Sequence, residues 1–317
     1  MSQESNKMVS VIIVSAGLGD YLDLCLDSLM KQTCAPSEIF VIDNSTDANF
    51  RQRITRSYPH IRLYSNQENL FYCQALNIGI HMSKGKFVLC LNDDVILDNK
   101  FIEEALKGFC RGQRVGMVSG KILRQDKKTI DSAGLSLSFW RTAEERGYAC
   151  CDKGQFEKEG YIFGVNGAVA FYQREMLEAV KENNDYFDSD FHIFYEDLDI
   201  SWRAQRLGWR GYYVPQAIAY HTRGATVRQY RGIDKPYARR FLNGTLQADL
   251  IKNRYLAIIK NEPGFSFLLH LPGIILYDLF VLGYIILFRP RLVKFFLNSR
   301  YLKNALKKRR SSLFFRR

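Results

Sequence analysis

Apolar residues recur along the first hundred positions with two alternating rhythms. Residues 9–14, "VSVIIV", form a nearly unbroken apolar run, the pattern of a strand buried on both faces. Asp20 then precedes a segment in which Leu22, Cys25, Leu26 and Leu29 are spaced by three and four. That spacing predicts an amphipathic helix capped by Asp20. "EIFVI" (38–42) and "IRLY" (61–64) are the next two strands. "LFYCQALNIGIHMSKGK" (70–86) predicts a helix stopped by Gly85, and "FVLCL" (87–91) a fourth strand. Strands and helices alternating at this spacing predict a parallel, doubly wound α/β sheet.

In such sheets ligands bind beyond the carboxyl ends of the strands. Strand one runs into Ser15, Ala16 and Gly17. Strand two runs into "DNSTD", which holds Asp43, Asn44, Ser45 and Asp47. Strand four runs into Asn92, Asp93 and Asp94. Loops are polar as a rule, but three such ends on one edge of one sheet point to a ligand site. No GxGxxG follows strand one, so this is not the usual dinucleotide fold, and bound phosphates would need another positive partner. Further on, "GVNGAVAFYQREML" (164–177) predicts glycines leading into a strand and then a helix start. Residues 140–160 mix charge with Gly and suggest a flexible loop.

The densest chemistry lies in "IFYEDLDISWRAQRLGWRGYYVPQAIAYH" (193–221), where Glu196, Asp197 and Asp199 crowd together although like charges repel. A solvated helix face would account for them; so would a site holding a base beside a cation. Asp197, between aromatics and next to Glu196, suits a general base. A strand "GYYVP", a turn and "AIAY" lead to His221 at a strand end. A lone His is often a satisfied core residue, and here it is also placed to complete a metal shell. Asp93 and Asp94 can hold a hard divalent cation, Mg²⁺ or Mn²⁺, through oxygen ligands. The same acids also suit a turn or a helix cap ahead of "LDNKFIEEAL".

Composition changes the picture mainly at the C-terminal end. The chain has 317 residues, 47% of them hydrophobic, enough for one large domain or two. Its net charge is +12, yet residues 289–317 hold 11 Lys and Arg and no acid. The body is therefore nearly neutral. That disfavours a nucleic-acid groove and favours a tail meeting an anionic surface. Seven cysteines, with no CxxC pair, fit reduced thiols in a cytosolic protein, and the polar residues 1–8 carry no signal-cleavage pattern. Residues 274–288 offer 15 mostly apolar positions. As a helix these span about 22 Å, short of the roughly 30 Å of a bilayer core. Extending back to Phe265 brings in His270, Pro272 and Gly273, with Asp278 inside the run. An interfacial or re-entrant helix is expected rather than a span. A basic amphipathic surface helix is expected to follow it, and a helical hairpin packed on the domain is the soluble alternative.

"VSVIIV", "VIDNSTD", "LNDDV", "YEDLDISWRAQRLGW", "VPQAIAYH" and "NRYLAIIKN", in this order, resemble inverting family 2 glycosyltransferases of the GT-A fold. The similarity is greatest to their rhamnosyltransferase-like branch and covers about residues 8–262. It implies a mixed, mostly parallel central sheet flanked by helices. Residues 1–262 would form the GT-A domain, with a nucleotide-sugar half at about 8–118 and an acceptor and catalytic half at about 119–262. Residues 263–317 would be a membrane-association segment. Asp197 would be the catalytic base, with Glu196 beside it. Asp94 and His221 would hold the cation. Ser15, Asp43, Asn44, Ser45, Asn77, Asn92, Asp93 and Arg203 would surround a dTDP- or UDP-linked donor. Trp202, Gly164 and Asn166 would lie toward a lipid-linked saccharide acceptor at the cytoplasmic face of the membrane. Two segments depart from the family pattern: "SAGLGD" replaces an Asn after strand one, and "LFYCQALN" replaces a Gly-rich turn after Asn69. Both bear on the donor more than on the reaction. A nucleotidyltransferase would want cations after strand one, which "SAGLGD" lacks. An inactive membrane-bound scaffold of the same fold would have no need of Asp94, Asp197 and His221.

Overall fold

The computed structural model describes residues 9–17, 20–45, 47–223, 244–292 and 300–314. Its first half is β1 (Val9–Ser15), α1 (Tyr21–Met30), β2 (Glu38–Asp43), α2 (Ala48–Ser57), β3 (Arg62–Ser65), α3 (Phe71–Met82) and β4 (Phe87–Asn92). The four strands are parallel, in the order β4-β1-β2-β3. Each lies within a residue of its expected position. Alternate residues of β1 feed two cores: Ile12 and Val14 pack on one face of the sheet, Val11 and Ile13 on the other. Two helix ends differ from expectation. Asp20 stands at the α1 N-terminus but makes no side-chain cap bond, so burial of Leu22, Cys25, Leu26 and Leu29 positions that helix instead. α3 ends at Met82, ahead of Gly85, because Ser83 turns extended and its hydroxyl donates to the Ile80 carbonyl at 2.8 Å. Gly79 lets α3 press on β1: a Cβ there would lie 2.4 Å from Ile12.

The second half adds β5 (Val95–Leu97), α4 (Phe101–Gly108), β6 (Val115–Arg124), β7 (Ile130–Ser132), β8 (Leu135–Leu137), β9 (Ala143–Glu145), β10 (Gly160–Ile162), β11 (Val169–Gln173), α5 (Arg174–Val180), α6 (Glu196–Arg206) and β12 (Arg210–His221). The main sheet runs β10-β12-β6-β11-β4-β1-β2-β3. β11 is antiparallel to both neighbours, while β12 and β6 are parallel. The result is a mixed, mostly parallel sheet flanked by helices. β8 and β9 pair as a hairpin inside a region expected to be loop from residue 140. "GYYVP" and "AIAY" are one strand rather than two. Its register on β6 slips between Val214 and Ile218, around Pro215, which has no N–H to give to a ladder.

Among the described residues three α-helices follow: α7 (Gly244–Asn261), α8 (Gly264–Phe288) and α9 (Arg300–Phe314). α8 is long and apolar enough to cross a membrane by length and composition, with a mean hydropathy of 2.1 over its best 18-residue window. The basic helix α9, expected to lie on a membrane surface, instead buries one face against the domain. Its Lys308 reaches Asp188 at 2.5 Å and Asp190 at 2.7 Å, and Arg309 donates to the Ile259 carbonyl at 2.8 Å. Arg300, Lys303 and Lys307 stay exposed on the other face. Residues 293–299 and 315–317 of the basic tail lie outside the described residues.

Lys308 is the outer member of a buried ionic chain. Lys260 of α7 contacts Asp188 at 2.7 Å, Asp199 at 3.0 Å and Glu182 at 3.1 Å, and Arg203 contacts Asp199 at 2.9 Å. Burial alone would raise the carboxyl pKa values of Asp188 and Asp199, but Lys260 in particular holds both below the ordinary range. Lys260→Met would leave two buried carboxylates short of their main partner and should cost about 3–5 kcal/mol, with Lys308→Met costing less. Thermal unfolding at neutral pH checks the order. Because the folded pKa values are depressed, this stabilisation is present above the unfolded value of about 3.9. The gap between parent and Lys260→Met should therefore shrink as pH falls below that value.

Candidate active site

Sheet register sets the first half of the site. Ser15 pairs with Asp43 and Val14 with Asn92, so the ends of β1, β2 and β4 finish level on one edge. Ser15 Oγ donates to Asp93 Oδ2 at 2.7 Å and itself accepts the Gly17 N–H at 3.1 Å. Burial, with some help from the Asp94 charge and against the Ser15 bond, raises the Asp93 carboxyl to about 6.

A second register brings in the far end of the chain. β12 pairs antiparallel with β5, His221 opposite Val95, and Thr222 N–H donates to the Asp94 carbonyl at 3.0 Å. His221 Nε2 thereby sits 3.2 Å from Asp94 Oδ1, and its Nδ1 sits 2.8 Å from Asp131 Oδ2. Burial would lower the imidazole pKa, but Asp94 and Asp131 together raise it to about 9. Asp131 is fully buried in β7. Burial opposes its charge, yet His221 and Arg223 hold it at about 2. Sequence reading missed Asp131, because a single acid in a short apolar strand carries no spacing signal.

The three crowded acids of α6 are managed in three ways. Asp199 is buried in the ionic chain, and the Asn261 amide adds a bond at 2.8 Å. Glu196 is buried, and its Oε2 has no hydrogen-bond partner among the described residues. Burial first, then the Asp197 charge, pushes its pKa well above the ordinary carboxylate value. Asp197 alone is only partly buried. Its carboxylate accepts the Gly167 N–H at 3.0 Å and the Leu198 N–H at 2.8 Å.

The loop 166–168 joins the two halves. Asn92 N–H donates to the Ala168 carbonyl at 3.0 Å while the next residue back, Gly167, holds Asp197. Asn166 Nδ2 donates to Glu145 Oε1 at 2.6 Å, and Ser132 Oγ donates to the other Glu145 oxygen. Burial, then the Asp197 charge, raises Glu145 to about 7. Glu145 was also missed, because it returns to the site only through the β8–β9 hairpin.

The entry to α6 is backbone held in an uncommon region. His192, Phe194 and Tyr195 have φ of 60°, 71° and 67° without being glycine. Such residues persist where their surroundings enforce them. Asn253 of α7, fully buried, supplies that force: its Nδ2 lies 2.7 Å from the Phe191 carbonyl and 2.8 Å from those of Ile193 and Phe194. Asn253 opens the "NRYLAIIKN" segment, but nothing in the sequence says what it grips.

Other expected site residues turn out to be occupied elsewhere. Arg203, expected near the donor, is buried and bonded to Asp199, to the Tyr186 carbonyl at 2.8 Å and to the Val180 carbonyl, so it faces the ionic chain. Asn77, expected to support the donor pocket, clamps the backbone of Tyr186 and Phe187 through both amide atoms. Trp202 is buried edge-on to Phe163, and Gly164 is a packing glycine whose Cβ would lie 2.4 Å from Ser201 Oγ; neither faces an open acceptor surface. Asp43 lies on the expected edge with both oxygens engaged: Ser45 Oγ donates at 2.5 Å and Arg51 Nε at 2.8 Å. Asn44 holds the following turn, accepting from Asn66 Nδ2 at 2.6 Å and donating to the Phe71 carbonyl at 3.1 Å.

The chain resembles known proteins at three levels. It is 22% identical over 217 residues to the poly-beta-1,6-N-acetyl-D-glucosamine synthase of Staphylococcus aureus strain MSSA476, covering 67% of this chain and 49% of the relative. It therefore spans about half the length of the curated relatives it matches. A mannosyltransferase from Pyrobaculum calidifontis, solved with GDP-Man and Mn²⁺, superposes with a TM-score of 0.54 at 14% identity, covering 95% of this chain and 86% of that one. S. aureus TarS superposes with a TM-score of 0.52 at 12% identity, covering 81% and 40%. These neighbours establish a GT-A-like fold. The family profile described as "Glycosyltransferase like family 2" matches residues 6–233, and with this sheet and these carboxylates the chain belongs to that family.

Proposed function

We propose that this chain transfers a sugar from a nucleoside-diphosphate sugar to a hydroxyl of a saccharide acceptor, with inversion at the anomeric carbon. The observation that carries this reading is the 166–168 loop, which ties the end of β4 to Asp197 and so gathers a phosphate-side acid group and a partly exposed base around one edge. Asp197 takes the proton of the acceptor hydroxyl as its oxygen attacks the anomeric carbon. The bond from that carbon to the diphosphate oxygen breaks, and the nucleoside diphosphate leaves. One base opposite the leaving group gives inversion in a single displacement. The Gly167 and Leu198 N–H groups fix the direction of the Asp197 carboxylate.

A divalent cation fits the residues at the β4 end. Asp94 and His221 already face one another with carboxylate oxygen against imidazole nitrogen, a donor pair that suits Mn²⁺. The raised pKa of His221, caused by Asp94 and Asp131 on its two sides, favours a proton there that offsets part of their negative charge. Among the described residues no preformed group of three His, Cys, Asp or Glu ligands occurs. That suits an ion bound by one or two carboxylates together with substrate phosphates. When bound, such an ion would neutralise charge on the departing diphosphate.

Donor and acceptor follow from chemistry and kinship. The sequence resemblance implies a UDP- or dTDP-linked donor and favours a rhamnosyl group; at the β2 end Asp43 and Asn44 would shape its site through the turn they hold. A poly-beta-1,6-N-acetyl-D-glucosamine synthase among the relatives supports a role in polysaccharide assembly. The acceptor is lipid-linked, met at the cytoplasmic face of the membrane.

Asp197→Asn should lower transfer by about 10²–10⁴-fold while donor affinity, read by calorimetry, stays within a factor of two or so of the parent. Transfer at more than a tenth of the parent rate would overturn the role of Asp197. In a thermal-shift screen of UDP- and dTDP-sugars, Mn²⁺ should raise Tm further with the donor than alone. Asp94→Asn and His221→Gln should each abolish that added shift, and a shift kept by both variants would remove the cation from this edge.

A further inference from the structure

The outward face of α8 is apolar from its first turn to its last. Phe265, Leu269, Leu276, Phe280 and Leu287 are spaced by fours and sevens, which puts them on one side of the helix, and Phe265 and Phe280 are 86% and 71% exposed. The inward side is held to the domain at points spread along the helix. Near the start, Arg141 donates to Ser266 Oγ at 3.0 Å and meets His270 Nδ1 at 2.7 Å. In the middle, Gly273 lies against Phe139 and Trp140, and Asp278 pairs with Arg254 of α7 at 2.5 Å. Near the end, Ile285 packs with Ala248 and Leu292.

This arrangement separates a span from an in-plane helix. A spanning α8 would either pull Arg254 and α7 into hydrocarbon or break Asp278 from its partner inside the bilayer, where a lone carboxylate is costly. An in-plane α8 keeps every pin and immerses only the outward stripe. Phe139 and Trp140, at the tip of the β8–β9 hairpin, are 51% and 37% exposed and extend the stripe sideways with aromatics, which favour the membrane–water boundary. A protein partner would be matched by about one hydrogen bond per 100–200 Å², and the five residues of the stripe offer no side-chain donor or acceptor. Arg289 and Arg291 follow the helix within a tail of 11 cations and no acid, which selects an anionic lipid surface.

We propose that α8 is an in-plane anchor in an anionic leaflet, with the Phe139–Trp140 tip inserted beside it. The same hairpin returns through β9 to Glu145, paired opposite Leu135 and bonded to Asn166 next to the Asp197 loop. Trp140 and Glu145 are five positions apart in the chain, which places them at most about 17 Å from one another. On the transferase reading above, the leaflet therefore presents a lipid-linked acceptor from the Asn166–Glu145 side.

The test uses full-length protein and vesicles of phosphatidylcholine with or without phosphatidylglycerol. The parent should float with vesicles, more strongly with the anionic lipid, and a Leu276→Glu/Phe280→Glu variant should bind about tenfold or more weakly. Lipids brominated in the acyl chain should quench a tryptophan component that Trp140→Phe removes, since Trp202 and Trp209 are buried. On inverted membrane vesicles, protease should remove tags at both chain ends from the same side. Flotation of the double variant like the parent, a C-terminal tag protected across the bilayer, or a stable dimer that does not float would each overturn the anchor. Asp197→Asn should float like the parent, so loss of its transfer with normal flotation touches only the catalytic reading. Loss of flotation with transfer to a soluble acceptor intact touches only the anchor.

Discussion

One buried ammonium makes the acidic helix α6 possible. Lys260 stands 98% out of water among the carboxylates of Asp188, Asp199 and Glu182. Without a cation at that depth, Asp199 would have to take a proton or move outward, and the first turn of α6 would not point Asp197 at the 166–168 loop. A buried ion pair is weak evidence for net stability, because desolvation consumes much of its attraction. Its value here is positional: it fixes α6 against α7, and α7 in turn carries Asn253, which holds the left-handed backbone entering α6. The helix that bears the proposed base is thus fastened at its entry by hydrogen bonds and in its second turn by charge.

The same chain of contacts changes the meaning of the basic tail. Composition alone makes residues 289–317 a membrane-binding strip. Lys308 and Arg309 instead belong to the domain, and among the described residues Arg289, Arg291, Arg300, Lys303 and Lys307 are the exposed cations of the tail. The proposed membrane anchor and the proposed catalytic helix then share one structural unit, since α7 carries partners of both α8 and α6.

The opposite edge of the site shows a different economy. Asp94, Asp131 and His221 come from the β4–β5 turn, β7 and β12, far apart in sequence, and the imidazole is shared between the two acids. Each group alone would be a buried polar liability. Together they hold a proton where the proposed cation would compete for the same atoms, and Arg223 stabilises the arrangement through Asp131. Two cavities elsewhere, one beside Arg114 and Trp209 and one beside Glu104 and Arg111, open near the starts of β6, β10 and β12, at the other end of the sheet, and take no part in this chemistry.

What the sequence determined by itself was the local physics. Apolar runs and three-and-four spacings located β1 to β4 and α1 within a residue or so, because burial on two faces or one leaves a period in the chain. The segments that carry Asp94, Asp197 and His221, to which the proposed chemistry is assigned, also stood out, since acid pairs at strand ends and a His after a strand carry spacing information. Tertiary structure decided the rest. It took Arg203, Asn77 and Trp202 out of the expected donor and acceptor surfaces and assigned them to ionic, backbone and packing roles. It brought in Asp131, Glu145, Asn253 and Lys260, none of which carries a local signal. It also made one strand of β12 across Pro215 and turned α9 inward. The physical reason is common to all of these: hydrophobic periodicity is a property of neighbours along the chain, whereas the partner of a buried charge or amide is fixed only when distant segments meet and each polar atom must find something to replace water.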